Sequence, residues 1–435
     1  MLAIGLDIGT TGLSALLIDG ESGEVCRCVT KPNSFFIVSE HPWEKAQDAQ
    51  KIFLAVKAML DELMCDGVEC IGVTGQMHGI VYLDGDGEVL SSLYTWQDAR
   101  GDLPYENSTY AKAFGAPSGY GLTTDFYNRV NNLVPPRAAA LCTVHDFVAM
   151  RLAGRNSPVV HASDAASLGH YDIEKGRFTI DNPLLPEVTK GVKIIGAYNG
   201  VPVCTAIGDN QAGVIGSVPH KNGVLVNVGT GSQVSVCCEA YKKADGLETR
   251  PLDGDECILV GSSLCGGRAF AMLERFFASA VSLYTGEDVS MYAQLDKLLG
   301  EDTHTTLKFD TRFCGTRENP DIRACVSNLS QDNFTVKDFA LSLLHGMADE
   351  LYGFFEKAGS QAAAMCGSGN GIRKNPTLKK ILEATFGMEM NVPAHREEAA
   401  YGAALSALYA SGKYPTLAKA RELIRFEKHS KESTD

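Results

Sequence analysis

Residues 2–19 read LAIGLDIGTTGLSALLID. An apolar strand runs into Asp7, a Gly-Thr-Thr-Gly turn follows, and a second apolar strand leaves it. Residues 223–236, GVLVNVGTGSQVSV, repeat the arrangement with Gly-Thr-Gly-Ser at the turn. The period is about half the chain, far above the ~20–50 residues of repeat arrays. The pair predicts a distant duplication in which each half opens with a hydroxyl-rich β-hairpin.

Such a turn aims several N–H groups one way, glycine lets a ligand approach the backbone, and threonine adds donors. That is a phosphate cradle, although a single string of this kind also fits an ordinary tight turn. Two in matching positions point to two jaws on a polyphosphate. Asp7 would repel phosphate unless a divalent cation lay between them, and Mg²⁺ takes one or two carboxylates with waters and phosphate oxygens. No G-x-x-x-x-G-K-[ST] occurs, nor a G-x-G-x-x-G between strand and helix. A third Gly-rich loop, CGSGNGIRKNP (366–376), precedes a helical pattern. It suits a nucleotide at a helix N-terminus or, equally, a surface loop.

At 435 residues the chain is long enough for two domains. Its formal charge of −14 argues against nucleic acid, which attracts Lys/Arg surfaces. Thirteen cysteines include the close pairs Cys26/Cys28, Cys65/Cys70 and Cys237/Cys238, but no C-x-x-C repeat. Reduced, mostly buried thiols are expected, not a zinc site. A first strand at residue 2 with no basic segment ahead of it, and no run of ~18–20 apolar residues, lead to the expectation of a soluble cytoplasmic protein off the membrane.

Helical periodicity is read at 43–64, 141–153, 269–284, 336–358, 376–386 and 397–411. Strands alternate with them in both halves, giving α/β domains with helices on sheets. Glu398 reads as a first-turn acid on a helix dipole, and Asp84-Gly85 with Asp86-Gly87 as a hairpin turn. The tail EKHSKESTD is polar and expected to fray.

Two polar strings follow strands in the first half: GQMHG (75–79) and TWQDAR (95–100). Gln76, His78, Gln97, Asp98 and Arg100 supply donors and acceptors, and Trp96 an apolar ring. A sugar needs both, although a lone histidine is as readily structural. In CTAIGDNQAG (204–213), Asp209 ends an apolar strand. A carboxylate there could take a proton from an attacking hydroxyl, or simply occupy a Gly-Asp turn.

Taken in order, GLDIGTTG, GQMHG, TWQDAR, HDFVAMRLAG, SDAASLGHYD, IGDNQAG, NVGTGSQVS, GGRAF, GSGNGIRKNP and EEAAYGAAL span nearly the whole chain. The set resembles the FGGY carbohydrate kinases of the actin/sugar kinase/Hsp70 superfamily. The resemblance implies two actin-like (ribonuclease H-like) α/β domains, 1–214 and 215–435, around a central cleft for ATP-Mg²⁺ and a sugar. By the same resemblance, Asp7, Gly9, Thr10 and Thr11 would face the ATP phosphates from one side, with Asp7 holding Mg²⁺ through water. Gly229, Thr230, Gly231 and Ser232 would face them from the other. Gly367, Ser368, Gly369, Asn370 and Asn375 would lie along adenosine. Asp209 falls on the catalytic base, and Met77 and His78 on sugar contacts, beside Gln76, Trp96, Gln97, Asp98, Asn210 and Gln211.

Gly12 and Ser14 depart from the family pattern of a serine and then a basic residue, so a phosphate-side cation would be either lost or supplied from elsewhere, for instance by Lys374 or Arg268. GQMHG is similar to xylulose-phosphorylating members. TWQDAR, the GTR.NP string at 315–320 and the 367–376 loop resemble the sedoheptulose-phosphorylating branch more. The expectation is phosphoryl transfer to a primary hydroxyl of sedoheptulose, then xylulose, then another ketose or polyol, by a monomer or homodimer. The rival from another class is a non-catalytic actin-like sugar or nucleotide sensor.

Overall fold

The computed structural model of the protein describes residues 1–317, 319–359 and 362–428; residues 429–435 of the polar tail lie outside them. The first of two larger sheets contains β1 (Leu2–Ile8), β2 (Gly12–Asp19), β3 (Val25–Pro32), β4 (Val68–Gly75), β5 (Ile194–Tyr198), β6 (Val201–Cys204) and β7 (Ile207–Gly208). Their order is β5-β6-β4-β1-β2-β3, with β7 also paired to β4. The second contains β8 (Val224–Val228), β9 (Ser232–Cys238), β10 (Glu248–Asp253), β11 (Glu256–Ser263), β12 (Met365–Ser368) and β13 (Met390–Asn391), in the order β10-β11-β9-β8-β12-β13.

The duplication is visible in the pairing. In each half an antiparallel meander, β3-β2-β1 or β11-β9-β8, continues into two parallel strands, β4-β6 or β12-β13. Ile4, Leu6 and Val73 are buried on one face of the first sheet and Ala3 and Leu16 on the other, and Val226 and Val234 are matched by Leu225 and Ile258 in the second, so both sheets are covered on both faces.

The helices that matter here are α1 (Ala49–Leu63), α2 (Gly121–Val130), α3 (Val144–Leu152), α4 (Ala162–Leu168), α5 (Asp209–Ser217), α6 (Gly266–Thr285), α7 (Val336–Lys357), α8 (Pro376–Phe386) and α9 (Glu398–Ala410). α1 starts later than its periodicity predicts because the Asp48 side chain caps it, accepting from the Lys51 N–H. It buries Ile52, Phe53, Val56, Met59, Leu60 and Leu63, a stripe at helical spacing. Asp84 turns its hairpin by accepting the N–H groups of Asp86 and Glu88.

One core lies under α1 and α3 against the first sheet, and a second under α7 and α8 against the second. A third joins the halves: Ala3, Leu16 and Cys70 pack with Ile215, Leu225, Ile258, Tyr401 and Leu405. Here α9, from the second half of the chain, lies on the first sheet. A methyl added at Gly5 would sit 1.8 Å from the Ala400 carbonyl oxygen, and one at Gly72 1.9 Å from that of Ala403. The helices α5 and α9 touch equally closely, since a methyl at Gly402 would lie 1.9 Å from the Ala212 oxygen. A division at residue 214 therefore leaves α9 on the sheet of the other half.

The thirteen cysteines are free; seven are buried, Cys238 is intermediate, and Cys26, Cys28, Cys65, Cys314 and Cys325 are exposed. Among the described residues, no helix is long and apolar enough to cross a membrane.

Candidate active site

The parallel strands β1, β4 and β7 end together. Asp7 pairs in register with Thr74, and Gly208 with Gly75, so Asp7, Gln76 and Asp209 follow one another across neighbouring strand ends. Asp209 is the first residue of α5. Its carboxylate accepts the Asn210 N–H at 2.7 Å, and Gly208 N–H donates to Ser163 Oγ at 3.1 Å, which fixes the turn. Burial raises the Asp209 pKa, opposed by the charges of His145 and Arg250. Behind it, His145 Nε2 lies 2.8 Å from Asp164 Oδ1, both fully buried. With Asp146 these two bring three metal-ligating atoms within 4.8 Å of one another.

Asp7 is pushed up to about 8, first by burial and then by the charges of Asp209 and Glu397. Its Oδ1 is buried without a partner. Ser14 Oγ donates to Glu397 Oε2 at 2.7 Å. The unpartnered Asp7 carboxylate oxygen, which feels the charges of Asp209 and Glu397, suits a cation held through water, since Mg²⁺ takes one or two carboxylates and keeps several waters. The Ser14 position, where a family pattern would put positive charge nearby, instead orients an acid.

The first hairpin is held rigidly. Asn33 Nδ2 donates to Gly9 O, Gln47 Nε2 to Thr10 O, and Trp96 Nε1 to Thr10 Oγ1. Thr10 Oγ1 donates in turn to Gln76 Oε1, whose amide also donates to Gln47. Thr11 at the tip is exposed. The second hairpin is fastened to the start of α6, with the Gly267 N–H donating to Gly229 O and the Arg268 N–H to Thr230 O. A methyl at Gly266 would sit 2.3 Å from the Gly231 carbonyl carbon, so this approach requires glycine.

A cavity of about 930 Å³ is lined by Gly229, Thr230, Arg268, Gly369, Asn370, Lys374 and Asn375. Gly369 turns the loop at φ +86°, and Asn375 caps α8 by accepting the Leu378 N–H. A smaller cavity of about 200 Å³ is lined by Met77, His78, Tyr120, Ser163, Ser167, Glu248 and Arg250, among others. His78 stacks on Tyr120 with centroids 4.3 Å apart, and its Nδ1 lies 2.9 Å from the Ser167 carbonyl oxygen. That oxygen only accepts, so Nδ1 carries the proton and Nε2 is left as an acceptor. Burial and the Arg250 charge lower His78 to about 4, so the ring is neutral. A further cavity of about 1030 Å³, between residues 305–328 and α7, contains none of the predicted site residues.

Two family models cover most of this frame: the FGGY family of carbohydrate kinases, N-terminal domain, matches residues 2–110, and the C-terminal domain of the same family matches 224–411. The chain belongs to the FGGY family of carbohydrate kinases. This FGGY kinase is 25% identical to the sedoheptulokinase of Mus musculus over 93% of its own length and 96% of the relative's. It is 24% identical to a xylulose kinase of Staphylococcus epidermidis, over 96% and 89%. Its fold matches a xyloylose kinase from Brucella ovis with a TM-score of 0.83, 19% identity, and 98% and 94% coverage. A ligand-bound xylulose kinase from Lactobacillus acidophilus matches at 0.81 and 18%, covering 98% and 93%. It is thus an ATP-dependent sugar kinase with the two-domain actin-like fold.

The FGGY kinase brings together Gly229, Thr230, Gly369, Asn370 and Asn375 in one cavity, and Met77 and His78 in another. Other expected site residues are engaged with the protein itself. Asp98 is buried in a 2.7 Å ion pair with Arg100 and accepts the Lys45 N–H. Both ends of the Gln76 amide are bonded to protein partners, and Ser368 Oγ accepts from Asn227. Gly367 and Ser232 are buried, whereas Gly231, Trp96 and Gln97 are exposed. Asn210 bridges Gln233 and Arg250. The Gln211 amide is buried with both polar atoms unpartnered. Sequence reading missed Glu397, Tyr120, Glu248, Arg250 and the His145–Asp164 pair. His145 opens HDFVAMRLAG, Asp164 lies in SDAASLGHYD and Glu397 begins EEAAYGAAL, but no role was read for them; in EEAAYGAAL the neighbour Glu398 was read instead, and it pairs with Arg373 at 2.8 Å.

Proposed function

We propose that this kinase transfers the γ-phosphoryl of ATP to a primary hydroxyl of a ketose, sedoheptulose first and xylulose second. The observation that carries the reading is a half-buried Asp209 at the start of α5, at a strand end beside that of Asp7, with the preceding Gly208 donating to Ser163 in the wall of the His78 pocket. Sedoheptulokinase and xylulose kinase relatives over nearly the full chain support the substrate class.

Asp209 accepts the proton of the attacking hydroxyl; its raised pKa makes it a stronger base than a surface aspartate. Neutral His78 accepts a hydrogen bond from the sugar at Nε2. The Thr10 and Thr11 N–H groups, the Thr11 hydroxyl and the second hairpin present donors to phosphate oxygens, with Gly9 and Gly229 allowing close approach. Asp7 and Glu397 are the groups that would hold Mg²⁺, which when bound offsets phosphate charge. Gly369, Asn370 and Asn375 contact adenosine, and Lys374 or Arg268 supplies the cation missing near Gly12. Phosphoryl transfer rests on such positioning and electrostatics.

The test is a panel of ketoses and polyols, including sedoheptulose and D-xylulose, scored for ADP formed from ATP-Mg²⁺. The reading expects turnover with a ketose and the highest kcat/KM for sedoheptulose. A highest kcat/KM for D-xylulose would reverse the order of substrates. Sugar binding without ADP formation would mark a sensor and refute it.

A further inference from the structure

We infer that Glu248 and Arg250, on β10 of the second half, are sugar-contacting residues that set which ketose the first-half pocket accepts. The inference rests on the kinase reading above.

The small cavity has walls from both halves. Met77, His78 and Tyr120 come from one, and Glu248 and Arg250 from the other. Tyr120 donates its hydroxyl to Glu248 Oε1 at 3.2 Å, and Arg250 Nη2 meets Glu248 Oε2 at 2.8 Å. Arg250 Nη1 donates to Asn210 Oδ1 at 3.1 Å, beside Asp209. Arg317 reaches Glu248 from outside at 3.4 Å. A chain of polar contacts thus runs from the His78–Tyr120 stack to the neighbour of the base.

This chain is incomplete in one respect. Arg250 is 8% exposed, and its Nε is buried with no partner. An idle donor on a buried guanidinium is costly unless something else accepts from it. Glu248 has one partner from this cluster on Oε1, and each carboxylate oxygen has two lone pairs. His78 Nε2 is a further acceptor. A single unfilled donor on Arg250, beside acceptors of Glu248 and His78 in the wall of a cavity of about 200 Å³, is complementary to adjacent hydroxyl or carbonyl groups of a polyhydroxylated chain. A site that hydrogen-bonds a hydroxyl discriminates strongly against a ligand lacking it, whereas apolar walls discriminate weakly. Selection among ketoses of different length therefore belongs to this wall.

The test measures kcat/KM for sedoheptulose and D-xylulose, and KM for ATP, in the wild type and in Glu248→Gln, Arg250→Met, Arg250→Lys and Tyr120→Phe. Losing one hydrogen bond to a charged group lowers kcat/KM for the preferred ketose about 10- to 100-fold. The expected pattern is that loss for Glu248→Gln and Arg250→Met, a fall in the preference ratio between the two ketoses, and a nearly constant KM for ATP. Arg250→Lys recovers part of the loss. If Glu248→Gln does not fold, Tyr120→Phe carries the test, because it removes only the hydroxyl that orients Glu248 and should lower the same ratio. A preference ratio unchanged in folded variants overturns the assignment while leaving the kinase reading intact. A wild type that forms no ADP with either ketose overturns both.

Discussion

Asp7 shows how a single residue trades stability for chemistry. Its carboxyl is raised to about 8 from an ordinary 3.8, so the folded protein keeps a proton that the unfolded chain has released. Between those values folding takes up a proton, and stability falls as pH rises. Asp7→Asn should therefore melt about 1–3 °C above the wild type at pH 8 without divalent cation, and level with it near pH 4. The same variant should lose at least ~100-fold in kcat. Scanning calorimetry at the two pH values checks the first part, and equal shifts at both would refute it. Asp209 is raised in the same direction, so kcat/KM should fall on acidification with a midpoint above 3.8. A pH–rate profile flat down to pH 4 would contradict this. Asp7 and Asp209 were legible because each stands at the end of an apolar run. Glu248 and Arg250 were not, because LETRP carries no turn or glycine signal and their role arises only where the second half meets the first.

At the scale of elements, the two hairpins and the long helices followed from periodicity and turn chemistry. α5 did not. Its DNQAGVIGS contains two glycines, which lower helix propensity, and the string reads as strand followed by turn. Its contact with α9 explains one of them: a methyl at Gly216 would lie 2.0 Å from the Glu398 carbonyl oxygen, whereas Gly213 has nothing within 4 Å. Gly216→Ala should thus destabilise by about 1–3 kcal/mol as the helices are forced apart. Gly213→Ala should stabilise by about 0.5–1 kcal/mol. Urea titration of both separates packing from propensity, and equal effects would refute the close-contact account. The loop at 366–376 was legible as glycine-rich, but not the use of Asn375 as a helix cap.

Across the whole molecule, the doubled hairpin foretold a doubled sheet, and the matching pairing of the two halves bears out that architecture. The placement of α9 was not foretold, because a helix with nearly every face buried carries no directional stripe to say which sheet it covers. Residues 1–217 alone would expose the face of β1 and β4 that α9 covers. This fragment should lack the cooperative thermal transition of the full chain, and a sharp, reversible melt would contradict that. The central claim concerns one proton. Single-turnover phosphorylation of the preferred ketose by Asp209→Asn, with sugar and nucleotide binding measured in parallel, tests it most directly. The account predicts retained binding and a rate lower by about 10²–10⁴-fold. A bound variant that transfers phosphate at close to the wild-type rate would contradict it.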